Sequence, residues 1–385
     1  MNDEMISMSQ NKVWDLVELP NNCKAIGCKW VFKTKRDANG QVERYKARLV
    51  AKGFSQKEGI DYKETFSPVS TKDSFRIIMA IVAHFDLELH QMDVRTAFLN
   101  GDLYEDVYMT QPIGFEKVGK EHLVCKLNKS IYGLKQASRQ WYLKFDEVVI
   151  KNGFKENVAD QCIYLKVSGS SYIFMVLYVD DILLASNNSD LLIETKQMLS
   201  SHFDMKDLGE ASYVLGIQTL RNRAKGELKL SQRTYIDKVL KRFNMQSCSP
   251  GKAPIVKGDK LSRDQCPQNE SEKENMKIVS YSSVVGSLMY AQVCTRPDIA
   301  FVVGVLGRYL SNPGLMHWQA AKKVFRYLQG TKDFMSIYRR IDILYIVGFY
   351  DADYAGCVDD RKSTLSIFLS WHEELFHEKV SNRHL

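Results

Sequence analysis

Residues 172–185 constrain the fold more than any other stretch of this chain. An unbroken apolar run rich in β-formers (YIFMVLYV, 172–179) meets Asp180 and Asp181, and a second apolar run (ILLA, 182–185) follows. Two such runs around a pair of acids read as a hairpin with both carboxylates near its tip. The runs lack polar alternation, so both faces of the hairpin are expected to be buried. Asp at an ordinary turn serves as a backbone hydrogen-bond acceptor. Between buried strands, two like charges instead need protonation or a cation. The same acids interrupt the longest apolar stretch, so no segment is expected to span a bilayer.

A third acid lies upstream. Residues 87–92 alternate as a strand into Asp93, and a helix-compatible stretch (94–99) precedes Asn100-Gly101. A carboxylate at one strand's end, beside a tip carrying two more, suits a pair of hard cations about 3.5–4 Å apart. Periodicity alone does not make the two strands neighbours.

Charge is concentrated in one place. The 385 residues carry 53 Lys and Arg against 46 Asp and Glu, a net charge of +7. Residues 24–63 hold eleven bases and four acids, so this segment alone accounts for that excess. Two β-rich runs around Asp37-Ala38-Asn39-Gly40 predict a basic hairpin closed by an Asn-Gly turn. Such a hairpin suits nucleic acid or a nucleoside triphosphate, although charge alone leaves a solvated surface hairpin open. The eight cysteines include no Cys-x-x-Cys pair, which points to reduced thiols of an intracellular protein rather than a zinc site. Residues 1–12 are polar, unlike a secretory signal.

Taken in order, the motifs resemble the reverse transcriptase of copia-type LTR retrotransposons, especially those of plants. Residues 91–103 (QMDVRTAFLNGDL) resemble polymerase motif A, 130–142 (SIYGLKQASRQWY) motif B, and 178–181 (YVDD) motif C. Residues 45–54 (YKARLVAKGF) are similar to the family's fingers, and 213–217 (YVLGI) to its primer grip. Residues 281–290, 294–300 (CTRPDIA) and His317-Trp318 match the helical block that follows. The likeness runs over residues 14–365.

This resemblance implies an α+β right-hand polymerase of fingers, palm and thumb, then a helical thumb/connection segment and an incomplete ribonuclease H-like sheet. It implies an RNA- and DNA-templated DNA polymerase, with a primed RNA or DNA template and dNTPs as partners, no membrane, and two Mg2+ ions that Mn2+ can replace. Asp93 and Asp180 would share both metals, with Asp181 completing the triad. Arg48 would sit over the triphosphate, assisted by Lys46, and the amides at 94–97, beginning with Val94, would cradle the phosphates. Phe98 would lie beneath the sugar and reject a 2′-hydroxyl, Gln136 would line the pocket near the 3′-hydroxyl, and Val179 would touch the primer terminus. Leu215 and Gly216 fall in the primer grip. Lys206 is set aside, because a solvated turn explains it equally well.

The remaining pattern divides the chain into 1–245 (fingers, palm and start of thumb), a polar linker or loop at 246–279, a helical segment at 280–340 and a final segment at 341–385. Helices are expected at 189–203, 232–245, 281–292, 297–310 and 313–329. His317 reads as a packed or capping histidine. Residues 344–364 resemble the first strands of the family's ribonuclease H domain, with Asp351 as a vestige of its first catalytic carboxylate. The match fades after Leu365, so ribonuclease H activity is expected to be absent. The chain reads as a fragment of a Pol polyprotein, working in the cytoplasm, where the family's products occupy virus-like particles, or in the nucleus. The alternative is a folded remnant that binds nucleic acid without polymerising; a merely structural Asp-Asp turn is the third reading.

Overall fold

Two units interleave along the chain: residues 1–71 with 88–210 form one, and 72–87 with 211–385 the other. The structure, a computed structural model, describes residues 1–36, 41–256, 258–342, 345–352, 356–363 and 365–372.

The first unit begins with α1 (Asn2–Gln10), β1 (Trp14–Val17), β2 (Cys28–Arg36) and β3 (Val42–Ala51). The chain then makes α2 (Lys72–Phe85), which belongs to the second unit, and returns as β4 (Glu88–Val94), β5 (Asp102–Met109), β6 (Val124–Lys129) and α3 (Ala137–Lys151). It closes with β7 (Lys155–Glu156), β8 (Ile163–Ser168), β9 (Ser171–Tyr178), β10 (Asp181–Ser186), α4 (Ser189–His202) and β11 (Met205–Glu210). The main sheet runs β11-β4-β10-β9-β8-β7, beside a three-stranded sheet β1-β6-β5 and the ribbon β2-β3. The expected hairpin is therefore β9–β10, and β4 lies against its second strand.

Apolar side chains decide which faces are covered. Met92, Ile182 and Leu184 join Trp141, Phe145 and Val149 of α3 and Leu191, Leu192 and Leu199 of α4 in one core. The α4 start is fixed by Asn188, whose side chain accepts from the Leu191 amide at 2.8 Å. The stretch 94–99 differs from expectation. The strand continues through Val94, and Thr96 then takes a left-handed φ of 52°, so only a short 3-10 turn, Ala97–Asn100, forms.

In the second unit follow β12 (Tyr213–Val214), β13 (Ile217–Asn222), β14 (Glu227–Ser231), α5 (Arg233–Arg242), α6 (Glu270–Lys277), α7 (Tyr281–Cys294), α8 (Ala300–Gly307), α9 (Leu315–Gly330), β15 (Met335–Arg339), β16 (Tyr345–Ala352) and β17 (Leu365–His372). Strands β12-β13-β14-β15 make one sheet and β16-β17 another. Ile236, Leu288, Val303 and Phe325 belong to a core shared by α5, α7, α8 and α9. The stretch expected as a linker contains α6, capped by Asn269, whose side chain accepts from the Glu272 amide at 2.9 Å. His317 is fully buried: its Nδ1 accepts from the Gly314 amide at 2.8 Å, and its ring stacks 3.9 Å from Tyr309. It is the packed, capping histidine the sequence implies. Asp351 pairs with Ser366 across β16–β17. Its side chain, the Asp37–Gly40 turn and the tail from residue 373 lie outside the described residues. Among the described residues no helix is long and apolar enough to cross a membrane.

Candidate active site

Cross-strand register builds the site. Residues directly opposite in an antiparallel pair share a face. Lys206 of β11 stands opposite Asp93 of β4, Asp93 opposite Asp181 of β10, and Asp181 opposite Tyr178 of β9. One transverse row thus crosses four strands. It lies on the face away from Met92 and Ile182, which point into the helix-covered core. The structure brings Lys206, set aside on the sequence, into this row beside Asp93.

The turn between β9 and β10 carries Asp180. Val179 adopts a φ of 61°, a left-handed conformation in which a β-branched residue is strained by about 1–3 kcal/mol. The buried Trp141 indole donates to the Val179 carbonyl at 2.6 Å and pins the turn from the core side. On the other side, the Val94 amide donates to the Asp180 carbonyl at 2.9 Å, tying the tip to β4. The Arg95 amide donates to the Asp204 carbonyl at 2.9 Å. Of the amides at 94–97 expected to cradle the phosphates, the N–H groups of Val94 and Arg95 are already used inside the protein.

Electrostatics mark Asp93. Burial, and then the charge of Asp180, push its carboxyl above the ordinary range, against the pull of Lys46, Lys206 and Lys35. Like charges held together in this way favour a bound proton or cation. Asp181 accepts from the Gln91 amide group at 2.8 Å. Among the described residues, no three His, Cys, Asp or Glu side chains form a ready-made metal cage. The donor chemistry nevertheless suits a hard divalent ion, with carboxylate oxygens from Asp93, Asp180 and Asp181.

The basic ribbon is two-faced. Lys29, Val31, Lys33 and Lys35 lie opposite Val50, Arg48, Lys46 and Arg44, so the cations of both strands share one face. Trp30, Phe32 and Thr34 lie opposite Leu49, Ala47 and Tyr45 on the other. The Arg48 guanidinium sits 4.5 Å from the centre of the Tyr132 ring, whose other neighbour is the Phe98 ring at 5.0 Å. Burial, opposed by Arg48, holds the Tyr132 hydroxyl above its ordinary value, with smaller contributions from Asp180 and Asp93. Lys46 is pushed down by burial and then by Arg48.

Gln136 is placed differently from expectation. It is fully buried; its amide group donates to the Asp61 carbonyl at 2.9 Å, and its oxygen accepts from Gln56 at 3.1 Å. Its polar atoms hold the chain after β3, whereas Tyr132 is the residue of that turn between Arg48 and Phe98. A single aromatic in an apolar run gave no signal of this. The same turn meets β3 backbone to backbone: a Cβ on Gly133 would lie 2.2 Å from the Ala51 carbonyl oxygen, and one on Gly53 would lie 2.0 Å from that of Gly133. Only glycine permits this approach.

Leu215 and Gly216 belong to the second unit. Their φ values of 53° and 76° make the two-residue turn joining β12 to β13 a primed hairpin turn. The Tyr290 hydroxyl donates to the Leu215 carbonyl, which offsets the strain of a leucine at positive φ.

The family model described as Reverse transcriptase (RNA-dependent DNA polymerase) matches residues 11–257. The chain is 49% identical over 383 residues to the retrovirus-related Pol polyprotein from transposon TNT 1-94 of Nicotiana tabacum, covering 97% of this chain and 29% of that polyprotein. The corresponding polyprotein from transposon RE1 of Arabidopsis thaliana is 40% identical over 94% of this chain and 24% of its own length. A putative transposon Ty5-1 protein of Saccharomyces cerevisiae is 30% identical over 71% of this chain and 86% of its own length. The chain spans about a quarter of the length of the two plant polyproteins.

Proposed function

The chain belongs to the reverse transcriptase family, and from that premise we propose that it extends a primer with dNTPs on an RNA or DNA template. The observation that carries this reading is the register that sets Asp93 and Asp181 opposite each other, with Asp180 on the strained turn between β9 and β10. In the right-hand description, the six-stranded sheet is the palm, the basic ribbon the fingers and α5 the start of the thumb.

Asp93, Asp180 and Asp181 would hold two Mg2+ ions, or Mn2+ in their place. When bound, the ions acidify the primer 3′-hydroxyl and neutralise charge on the triphosphate. The hydroxyl gives its proton to solvent as its oxygen forms a bond to the α-phosphorus, the bond from that phosphorus to the bridging oxygen breaks, and pyrophosphate leaves. Arg48 and Lys46 offer positive charge to the triphosphate, held in place before the reaction begins. Phe98 supports the sugar from below and excludes a 2′-hydroxyl, with Tyr132 as the adjoining wall. Gln136 supports this pocket from behind through Gln56 and Asp61. Val179 meets the primer terminus, and Leu215 with Gly216 grips the primer strand.

The test is primer extension by the purified chain on RNA and DNA templates, with Mg2+ and with Mn2+. Wild type is expected to extend, while Asp180→Asn falls by about a thousandfold or more. No extension from a cooperatively folded wild type would leave the non-polymerising remnant as the correct reading.

A further inference from the structure

Helix α1 precedes the residues that the family model matches, yet it contributes a buried carboxylate next to the basic ribbon. Glu4 is only 7% exposed. Its Oε1 accepts from the Leu49 amide at 3.3 Å, in buried surroundings. Among the described residues, strand β3 pairs with β2 along one edge alone. On its other edge, the Leu49 and Ala51 amides turn outward, the first to Glu4 and the second to the Tyr132 carbonyl at 2.8 Å. Two anchors therefore hold the free edge of β3, and Arg48 lies immediately beside the first.

The anchoring helix is itself fixed. Met8, 2% exposed, packs in one core with Leu49, Val13 and Ile26. A buried carboxylate is costly, and burial indeed raises the Glu4 carboxyl above its ordinary range, opposed by the Leu49 amide, Lys46 and Arg48. An apolar side chain would avoid that cost and leave the Leu49 N–H without its partner. Retaining a long acceptor at this point makes physical sense where the strand's position matters.

We propose that Glu4 is a positioning residue for nucleotide binding: by holding the Leu49 N–H it fixes β3 so that Arg48 stays over Tyr132. The assignment rests on the polymerase reading, in which Arg48 binds the triphosphate. Glu4 itself touches no substrate. Its contribution is reach combined with an acceptor atom, so glutamine can replace it and aspartate, one methylene shorter, cannot.

The experiment compares the 385-residue wild type with Glu4→Gln, Glu4→Asp and Glu4→Ala by steady-state dATP incorporation, and by equilibrium dialysis of dATP in Mg2+ with a dideoxy-terminated primed template whose next base is T. Glu4→Asp and Glu4→Ala are expected to raise the KM and the dialysis Kd by about tenfold, with kcat within about twofold of wild type. Glu4→Gln keeps wild-type values. Near-isosteric Gln and the shorter acid Asp carry the comparison should the alanine variant fail to fold. Wild-type KM in Glu4→Asp overturns the proposal, as does a fall in kcat alone, which marks a purely structural role. Equal weakening in Glu4→Gln and Glu4→Asp also overturns it, since charge rather than reach would then be at work. A wild type that binds dATP without incorporating it sinks the polymerase reading, while the dialysis constants still decide the role of Glu4. A wild type that does not bind dATP sinks both.

Discussion

Two hairpins of the first unit, β9–β10 and β2–β3, carry opposite charge on opposite kinds of frame. β9–β10 is embedded in the sheet, with β4 and β8 on its flanks, and Ile182 to Ser186 are all buried. Among the described residues the ribbon β2–β3 pairs with no third strand, and its far face leaves Phe32 68% and Tyr45 80% exposed. It also sets Lys33 directly opposite Lys46 and Lys35 opposite Arg44, pairings that weaken a ribbon. The acids are thus held rigidly, and the cations ride on a weaker element steadied from outside.

The largest effect expected from breaking this contrast is at the joint between the ribbon and the turn that follows β6. Gly133 has a φ of 93°, and an added methyl would meet the Ala51 carbonyl, so Gly133→Ala should cost about 3 kcal/mol in urea unfolding. On the cationic side, Arg48→Ala should raise the KM for dNTP by about 10–100-fold without changing the unfolding midpoint appreciably, as loss of a charged hydrogen-bonding partner implies. On the acidic side, Trp141→Phe removes the indole donor from the Val179 carbonyl. It should cost about 1 kcal/mol of stability but lower kcat by more than that figure converts to, because the strained turn relaxes. A graded response at Val179 and an abrupt one at Arg48 would reverse the contrast.

Much of this was legible beforehand. Unbroken apolar runs around Asp180-Asp181 give the β9–β10 hairpin, and the alternation ending at Asp93 gives β4. Their adjacency was not legible, because strand order depends on long-range packing that period-2 patterns do not encode. The helix-compatible stretch 94–99 failed for a local reason, since Thr96 turns left-handed where the strand tip must bend. Tyr132 gave no signal, because its place between Arg48 and Phe98 follows from the close backbone approach of Gly133 to Ala51, a long-range contact that local sequence does not encode. Glu4 gave no signal at all. An acid in a short polar helix is ordinary, and its importance comes from the strand edge it meets.

The most direct test concerns the pairing of Asp93 with Asp180. The Asp93 carboxyl is raised above its ordinary 3.8, first by burial and then by the Asp180 charge. A folded value above the unfolded one means that its contribution to stability is complete below pH 3.8 and lost as pH rises through the raised value. Once ionised, the Asp93 carboxyl beside Asp180 therefore opposes folding until a cation or a neutral side chain relieves it. Thermal unfolding of wild type and Asp93→Asn at pH 7, each with and without millimolar Mn2+, measures this directly. The expected result is a higher Tm for Asp93→Asn without metal, together with a Mn2+-induced rise in wild type that the variant lacks. A wild-type Tm indifferent to Mn2+, or an Asn variant that is less stable and still responds to it, would contradict a metal site built on this pair.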